Sequence, residues 1–377
     1  MIRQEYSQKE SISAQKFPGK EPGIRVITTD DSALIRLTLK RYLNQFSDIE
    51  VIGQASNGLE LLSMVASTTP DVVVLDVEMP VMNGIEALEQ LMCTHPVPVI
   101  MLSNLTLSGA EVTLHALELG AVDFVVKPQP GVTMAETVEV LAQKIRQAVH
   151  ARVQQRPALS ISRQEPKDSE ARSNHSSEPN ESRRLSPLQP SDRLLAVASS
   201  TGGPSALTAF LSAIPQGLPL GGVIIQHMPM GFTTILSQRL NRIGDYTVTE
   251  ALTGSRLMRG QFLVAPGGYH LTFDENGVAT LNEGPTINGV RPSADVTFRS
   301  LAQNFASQIT AVILTGMGQD GFAGSKEIRR RGGRVLAQDE RSAVVFGMPR
   351  KIIESNLAEY VASPAQLGAY LGEQVVQ

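Results

Sequence analysis

A polar segment in the middle of the chain separates two stretches that have the pattern of folded domains. Residues 151–191 are rich in Ser, Pro, Glu and Arg and contain no Phe, Trp or Tyr. Such a composition buries too little apolar surface to offset the entropy that is lost on ordering. It predicts a flexible linker, with one folded domain over residues 23–150 and a second over residues 192–377. Residues 1–22 lack an apolar core stretch and predict a flexible extension.

The composition excludes several classes of protein. Of the 377 residues, 42% are hydrophobic and 19% are charged, as in globular proteins, and the formal net charge is −4. This charge gives no sign of a basic surface, so we expect no nucleic-acid partner. The single cysteine, Cys93, cannot form an internal disulfide. Because we find no signal peptide and no run of about 18 apolar residues, we expect a cytoplasmic protein without membrane insertion.

Short apolar runs alternate with amphipathic segments on both sides of the linker. Residues 71–76 (DVVVLD) and 98–103 (PVIMLS) are continuous runs typical of buried strands, and apolar residues at helical spacing lie between them. This alternation predicts a doubly wound α/β fold in each domain, with a parallel sheet covered by helices on both faces. In the second domain, YHLTF followed by ENG and VATL also predicts an antiparallel hairpin.

Three carboxylates and a lysine fall at the ends of predicted strands in the first domain. Asp30 and Asp31 follow the first strand, Asp76 ends a later one, and Lys127 lies near the end of the domain. Parallel sheets bind ligands at this edge, and converging carboxylates need compensation by a cation such as Mg²⁺ and by an ammonium group. Such a pocket supports attack of an aspartate on a phosphoryl group. Alternatively, the first two aspartates cap a helix and the lysine lies in a surface turn.

The motifs around these residues resemble the receiver domain of two-component response regulators. VITTDDS, VVVLDVEMPVMNG, PVIMLSN and GAVDFVVKP occur in this order within residues 23–150. The resemblance implies a flavodoxin-like fold, a histidine kinase as phosphodonor and Asp76 as the phospho-acceptor. It also implies that phosphorylation requires Mg²⁺. The implied ligands of this ion are Asp30, Asp31, Asp76 and the carbonyl of Glu78.

The same resemblance assigns the residues that respond to phosphorylation. It implies that Lys127 contacts the phosphoryl group and that Ser103 and Phe124 rearrange when Asp76 is phosphorylated. Asn83 stands where many relatives have Asp. Because this position lies in the loop beyond the pocket, we expect the difference to leave the pocket unaffected.

Three polar residues follow apolar strands in the second domain. Ser200 comes after RLLAVAS, His227 ends GGVIIQH, and Asp320 lies in the loop after ITAVI. If these strands are parallel neighbours, the side chains gather at one edge, as Ser-His-Asp chemistry requires. The GMG segment before Asp320 offers backbone N–H groups for an oxyanion hole. Alternatively, SSTGGP is a helix cap or a phosphate loop, the histidine merely ends a strand, and GMGQDG is a turn.

A second family resemblance covers this domain. ASSTGGP, IIQHMP, FLVAPGGYH, VRPSADVTFRSLA, ILTGMGQDG and AQDERSAVVFGMP resemble, in order, the catalytic domain of chemotaxis protein-glutamate methylesterases. The resemblance implies that Ser200, rather than the adjacent Ser199, is the nucleophile. It assigns three further roles, namely the general base to His227, the group that orients this base to Asp320, and an oxyanion donor to the amide of Met317. Relatives commonly carry His where this chain has Val290, which affects a contact at the substrate rim.

The resemblance also implies a substrate and a mode of control. It implies hydrolysis of glutamate methyl esters on methyl-accepting chemoreceptors, with glutamine deamidation as a second activity, and no cofactor for ester hydrolysis. We expect the unphosphorylated receiver to occlude the catalytic edge. Two alternatives are the same architecture in a non-flagellar chemosensory pathway and a binding-only response regulator. A DNA-binding effector does not fit the α/β pattern of the second domain.

Overall fold

The computed structural model describes residues 23–128, 133–153 and 185–373. The predicted extension over residues 1–22 lies outside the described residues, as do residues 154–184 of the predicted linker. Within the described ranges, no helix has the length and apolar character needed to cross a membrane.

Five parallel strands form the sheet of the first domain, in the order β2-β1-β3-β4-β5. The strands are β1 (Ile24–Thr29), β2 (Ile49–Ala55), β3 (Val72–Asp76), β4 (Val99–Ser103) and β5 (Asp123–Val126). Every residue of β3 and β4 is buried, as the continuous apolar runs predict. The order places the ends of β1 and β3 side by side, which brings together the carboxylates that follow or end these strands.

Five helices cover the two faces of this sheet. They are α1 (Ala33–Leu43), α2 (Gly58–Thr68), α3 (Gly84–Thr94), α4 (Leu107–Leu119) and α5 (Met134–Ala148). Each begins after a Ser, Asn or Thr whose side chain accepts a hydrogen bond from a backbone amide in the first turn. Local capping chemistry therefore sets where these helices start. The predicted flavodoxin-like, doubly wound fold is confirmed.

The second domain is built on a sheet of seven parallel strands, in the order β16-β15-β14-β7-β8-β11-β9. The strands described in this domain, four of which form two small antiparallel pairs (β6 with β10 and β12 with β13), are β6 (Ser186–Pro187), β7 (Arg193–Ser199), β8 (Leu220–Gln226), β9 (Thr247–Glu250), β10 (Met258–Arg259), β11 (Gln261–Val264), β12 (His270–Phe273), β13 (Ala279–Asn282), β14 (Ile309–Ile313), β15 (Arg334–Gln338) and β16 (Tyr360–Ala362). The predicted hairpin is confirmed, because β12 and β13 pair in antiparallel fashion.

Six helices and one 3₁₀ turn accompany this sheet. The helices are α6 (Gly203–Ser212), α7 (Phe232–Leu240), α8 (Ala294–Phe305), α9 (Phe322–Arg330), α10 (Met348–Glu354) and α11 (Pro364–Glu373), and the 3₁₀ turn is Ala306–Gln308. The central strands β14, β7 and β8 are parallel neighbours, so the loops that follow them meet at one edge of the sheet. Their order in the chain differs from their order in the sheet.

One face of the first domain packs on the second domain. The ring of Phe124 on β5 stacks on that of Phe232 at the start of α7, with 4.4 Å between the ring centroids. Beside it, the hydroxyl of Thr201 donates a hydrogen bond of 2.5 Å to Asp123, and both residues are buried. The other carboxylate oxygen of Asp123 pairs with Lys144 at 2.6 Å. A buried polar contact therefore joins the domains one residue after Ser200.

Helix α4 supplies further contacts of this interface. Glu118, near its C-terminal end, forms an ion pair with Arg239 of α7. The hydroxyl of Ser205 on α6 donates a hydrogen bond of 3.2 Å to the carbonyl of Leu117. The C-terminal part of α4 thus contacts both helices that flank the β7 and β8 edge.

Both described ends of the predicted linker contact the second domain. The amide of Arg152 donates to the carbonyl of Val344 at 3.3 Å, and its guanidinium pairs with Glu340 at 3.1 Å. At the other end, β6 forms a short antiparallel pair with β10. The linker residues that make these contacts follow the end of α5 or precede the start of β7.

Candidate functional site

The acidic residues of the first domain lie together at the carboxyl edge of its sheet. Each of Asp30, Asp31 and Asp76 offers a carboxylate oxygen within 4.8 Å of those of the other two. The side chains of Asp30 and Asp76 are buried, whereas that of Asp31 is exposed. A set of hard oxygen donors with one side open to solvent suits Mg²⁺, which keeps several of its waters. The residues present therefore fit the predicted ion.

Lys127 completes this pocket. Its ammonium lies 2.9 Å from Asp30 and 2.8 Å from Asp76. Burial raises the pKa of Asp76 to about 6, and the nearby charge of Asp30 adds to this effect, while the ion pair with Lys127 opposes it. Burial alone would lower the pKa of Lys127, but the two carboxylates outweigh it and raise that pKa.

The predicted switch residues lie on the side of the pocket that faces α4. The buried hydroxyl of Ser103 accepts a hydrogen bond of 2.6 Å from Thr113 on α4 and donates to the carbonyl of Asn104 at 3.2 Å. Phe124 is buried against the second domain, as described above. Glu78 follows β3 and lies with Asp31 in the lining of an open cleft of about 700 Å³.

Asn83, where many relatives have Asp, has a local structural role. Its side chain accepts hydrogen bonds from the amides of Ile85 and Glu86 and so caps α3. An aspartate also caps helices well, so the two residues are interchangeable in this role.

In the second domain, three neighbouring strands place the predicted catalytic residues at one edge. Ser200 directly follows β7 and His227 directly follows β8, and these strands pair with Ser199 opposite Gln226. The amide of Ser200 donates to the carbonyl of Thr315, in the loop after β14, at 3.0 Å. Asp320 lies later in that same loop. The sheet order therefore brings Ser200, His227 and Asp320 to one region, as the sequence predicts.

The closest contact among these residues joins His227 to Asp320. Nε2 of His227 lies 2.8 Å from Oδ2 of Asp320. Because an ionised carboxylate can only accept hydrogen bonds, Nε2 carries the imidazole proton. Nδ1 is left as the basic nitrogen of the ring.

Asp320 is held by several donors besides the histidine. The hydroxyl of Ser293 donates to it at 2.7 Å, the amide of Ala294 at the start of α8 donates at 2.6 Å, and the amide group of Asn288 lies at 3.5 Å. Burial alone would raise the pKa of Asp320, but the hydrogen bonds from His227, Ser293 and Ala294 outweigh it and lower that pKa below 3.8. The carboxylate is therefore ionised and fixed in orientation.

The two adjacent serines differ in their surroundings. Ser199 is fully buried and its hydroxyl donates to the side-chain oxygen of Gln226 at 2.6 Å. Ser200 is only partly buried, and among the described residues its hydroxyl has no hydrogen-bond partner, His227 included. Such hydrogen bonds are often long before substrate binds. Of the two serines, Ser200 is the one whose hydroxyl is free to react.

A cleft of about 510 Å³ opens beside the His227 and Asp320 pair. Its lining includes both of these residues, Met317 and Val290, but not Ser200. Among the described residues, no acceptor is bonded to the Met317 amide, so this donor is available to a ligand. Val290, the departure from the family pattern, lies in the wall of the cleft and not in the polar contacts of Asp320.

Residues outside the predicted catalytic set hold this site in place. Gln226 donates from its side-chain amide to the carbonyls of Ser200 and His227, at 2.9 and 3.2 Å. The sequence indicates this role of Gln226 only by placing a polar residue at the end of an otherwise apolar strand. Ser293 lies directly before α8, and its hydroxyl donates a hydrogen bond to Asp320.

The fold and the two edges define the class of protein: a response regulator whose effector domain is an enzyme. The family model named CheB methylesterase matches residues 195–371, and that of the response regulator receiver domain matches residues 26–139. A protein-glutamate methylesterase/protein-glutamine glutaminase from Pyrococcus abyssi is 41% identical over 343 residues, which cover 90% of each chain. The chain therefore belongs to the protein-glutamate methylesterase/protein-glutamine glutaminase family and is a hydrolase.

A second relative gives the same result, and two solved structures are similar to single parts of the chain. A protein of the same name from Pectobacterium atrosepticum is 41% identical over 357 residues, which cover 93% of this chain and 97% of that protein. The crystal structure of the Thermotoga maritima CheB methylesterase catalytic domain is 39% identical, covering 49% of this chain and 99% of that one, with a TM-score of 0.47. The response regulator domain of Thermotoga maritima CheB is 42% identical, covering 34% and 98%, with a TM-score of 0.32.

The raised pKa of Asp76 predicts a pH-dependent stability of the first domain. Because the folded protein binds this proton more tightly than the unfolded chain, the stabilisation is present at low pH and is lost as the pH rises through about 6. We expect Asp76→Asn to become more stable than the parent between pH 4 and pH 7, by up to about 3 kcal/mol. Urea unfolding in the presence of a chelator measures this difference, and a difference that does not vary with pH would contradict the prediction.

A second prediction concerns the glycine at the start of α6. A Cβ atom on Gly203 would lie 1.8 Å from the side-chain oxygen of Gln226, which must then move. We expect Gly203→Ala to release the Ser200 and His227 carbonyls, to destabilise the domain by about 1–3 kcal/mol and to lower esterase activity at least tenfold. Gly244→Ala, whose Cβ meets only an ordinary contact at 3.8 Å, is the matched control. Full activity in Gly203→Ala would show that Gln226 does not hold the loop.

Proposed function

We propose that this chain hydrolyses glutamate methyl esters on chemoreceptors with Ser200 as nucleophile and under the control of phosphorylation at Asp76. The observation that carries the proposal is the 2.8 Å contact between His227 and Asp320, at the sheet edge where Ser200 follows the neighbouring strand. Relatives that cover nine tenths of the chain bear the name of this activity. The substrate is thus a methylated receptor of a chemosensory pathway, and the phosphodonor is a histidine kinase.

In the first half of the reaction, the oxygen of Ser200 attacks the carbonyl carbon of the ester. Its proton passes to Nδ1 of His227, because Nε2 is occupied by the hydrogen bond to Asp320. The amide of Met317 stabilises the negative charge that develops on the carbonyl oxygen, by about 3 kcal/mol for one well-placed donor. The imidazolium then protonates the departing methoxide, which leaves as methanol, and an acyl-serine remains.

In the second half, a water molecule takes the place of methanol. His227 accepts its proton while its oxygen attacks the acyl carbon, and Ser200 leaves with the proton returned by the imidazolium. The product is an unmodified glutamate. A glutamine side chain follows the same steps with ammonia as the leaving group, which accounts for the deamidation named among the relatives.

In the first domain, Asp30, Asp31, Asp76 and the carbonyl of Glu78 would hold Mg²⁺. When bound, the ion supplies positive charge that compensates the carboxylates and the incoming phosphoryl oxygens. Asp76 is the residue that attacks phosphorus, since its carboxylate ends β3 at the centre of the pocket, and the bond from phosphorus to the histidine of the kinase breaks as that imidazole leaves. Lys127 would then exchange part of its pairing with Asp76 for the phosphoryl oxygens.

The contacts between the domains support inhibition by the unphosphorylated receiver. Asp123 and Phe124 of β5 lie on Thr201 and Phe232, next to the nucleophile and the helix that follows His227. Lys127 directly continues β5, so a change in its pairing with Asp76 is transmitted to this face. Phosphorylation would weaken the packing and admit the receptor helix. Each tenfold gain in the open population requires only about 1.4 kcal/mol.

The nucleophile is tested by two matched variants. We expect Ser200→Ala to lower release of methanol from methylated receptors by at least about 10³-fold, because it removes the hydroxyl that forms the acyl-enzyme. Ser199→Ala removes a neighbouring hydroxyl that already bonds to Gln226 and should retain most of the activity. Loss of activity in Ser199→Ala with an active Ser200→Ala would reverse the assignment.

Inhibition by the receiver is tested by exchanging the charges of the pair formed by Glu118 and Arg239. We expect Glu118→Arg to raise the rate of the unphosphorylated full-length protein about two- to fivefold, because it places like charges across the interface. The double variant Glu118→Arg/Arg239→Glu restores the pairing and should restore the low rate. After treatment with a small phosphodonor and Mg²⁺, all three proteins should have the same rate. Equal rates before phosphorylation would argue against an inhibitory interface.

A further inference from the structure

A buried histidine outside the proposed triad bonds to the segment that holds Asp320. His270 begins β12 and is 2% exposed. Its Nδ1 lies 3.2 Å from the amide nitrogen of Ser293, and its Nε2 lies 2.9 Å from the carbonyl oxygen of Pro285. The imidazole therefore ties together the two ends of residues 285–293, which lead into α8.

These partners fix the tautomer of the ring. A backbone N–H can only donate, so Nδ1 of His270 accepts from Ser293. A carbonyl can only accept, so Nε2 carries the proton and donates to Pro285. Both ring nitrogens thus make hydrogen bonds. No other type of side chain places an acceptor and a donor at this spacing in one rigid ring.

The segment held by His270 and the first residues of α8 that follow it supply most of the donors to Asp320. The hydroxyl of Ser293 and the amide of Ala294 contact the carboxylate at 2.7 and 2.6 Å. Asn288, in the same segment, lies 3.5 Å from Asp320 and lines the cleft. A shift of the Ser293 backbone would therefore turn the carboxylate that orients His227.

We propose that His270 is a positioning residue for the esterase reaction, which acts on His227 through Ser293 and Asp320. The proposal rests on the catalytic assignment proposed above. A positioning role differs from a role in packing alone, because it requires that His270 and Asp320 affect the same step of the esterase reaction. Loss of the Ser293 contact should slow the reaction of bound substrate and leave substrate binding unchanged.

Two conservative variants separate the two contacts of the ring. The side-chain oxygen of His270→Asn stands close to the position of Nδ1 and can still accept from Ser293. The side-chain nitrogen of His270→Gln stands close to the position of Nε2 and keeps only the bond to Pro285. We expect kcat to fall less than about threefold in His270→Asn and about 10- to 100-fold in His270→Gln, with KM unchanged in both. The assay uses the phosphorylated full-length protein and methylated receptors.

Thermal unfolding and a control variant distinguish positioning from folding. His95→Gln changes an exposed histidine at the end of α3 and should leave both kcat and stability unchanged. Equal losses of kcat in His270→Asn and His270→Gln would overturn the proposal, because the Ser293 contact would then be irrelevant. The proposal would also be overturned if the losses of kcat matched the fraction of protein that is unfolded at the assay temperature.

A double-mutant cycle tests the path through the carboxylate. In an Asp320→Asn background the orienting carboxylate is gone, so adding His270→Gln should lower kcat by less than about twofold. An undiminished 10- to 100-fold loss in that background would show that His270 acts by another route.

Ser200→Ala is measured in parallel, and an active Ser200→Ala would overturn the catalytic assignment itself. An inactive Ser200→Ala with a fully active His270→Gln would overturn the role of His270 alone.

Discussion

The catalytic edge of the second domain depends on the buried carboxylate of Asp320. Asp320 is 3% exposed and is surrounded by donors from the histidine, a serine hydroxyl and the first amides of α8. Removing a carboxylate from water is unfavourable unless hydrogen bonds replace its hydration, and here they do so from three directions. The same bonds leave the oxygen that faces His227 no freedom to rotate. Folding and the orientation of the imidazole are therefore achieved by the same contacts.

In the first domain, the buried carboxylate of Asp76 has different surroundings. Burial raises the pKa of Asp76 to about 6, and its partner Lys127 opposes this effect while the nearby acid Asp30 adds to it. The pKa of Asp320, by contrast, is lowered by its hydrogen bonds. A carboxylate that is poorly compensated gains from an added cation. One that is fully compensated is suited to stay ionised throughout a reaction. The contrast between the two edges follows from the number of donors around each acid.

The sequence predicted which residues meet at each edge, because parallel strands bring their carboxyl ends together and Ser200 and His227 each come directly after a buried apolar run. The helix starts were similarly predictable from local caps such as the serine at position 32. The supports of Asp320 were not, because the Ser293 contact spans 27 residues through an irregular segment without periodicity. The bond between Asp123 and Thr201 spans 78 residues and two domains, and no local pattern records it.

The way in which Asp123 is paired has a consequence for the cost of separating the domains. One of its oxygens meets Thr201 across the interface, while the other meets Lys144 within its own domain. When the faces part, the acid keeps its ammonium partner and water replaces a neutral hydroxyl. At this contact no isolated charge is left behind, so breaking it meets no large electrostatic barrier. A contact of this kind suits a signalling protein that must reset quickly.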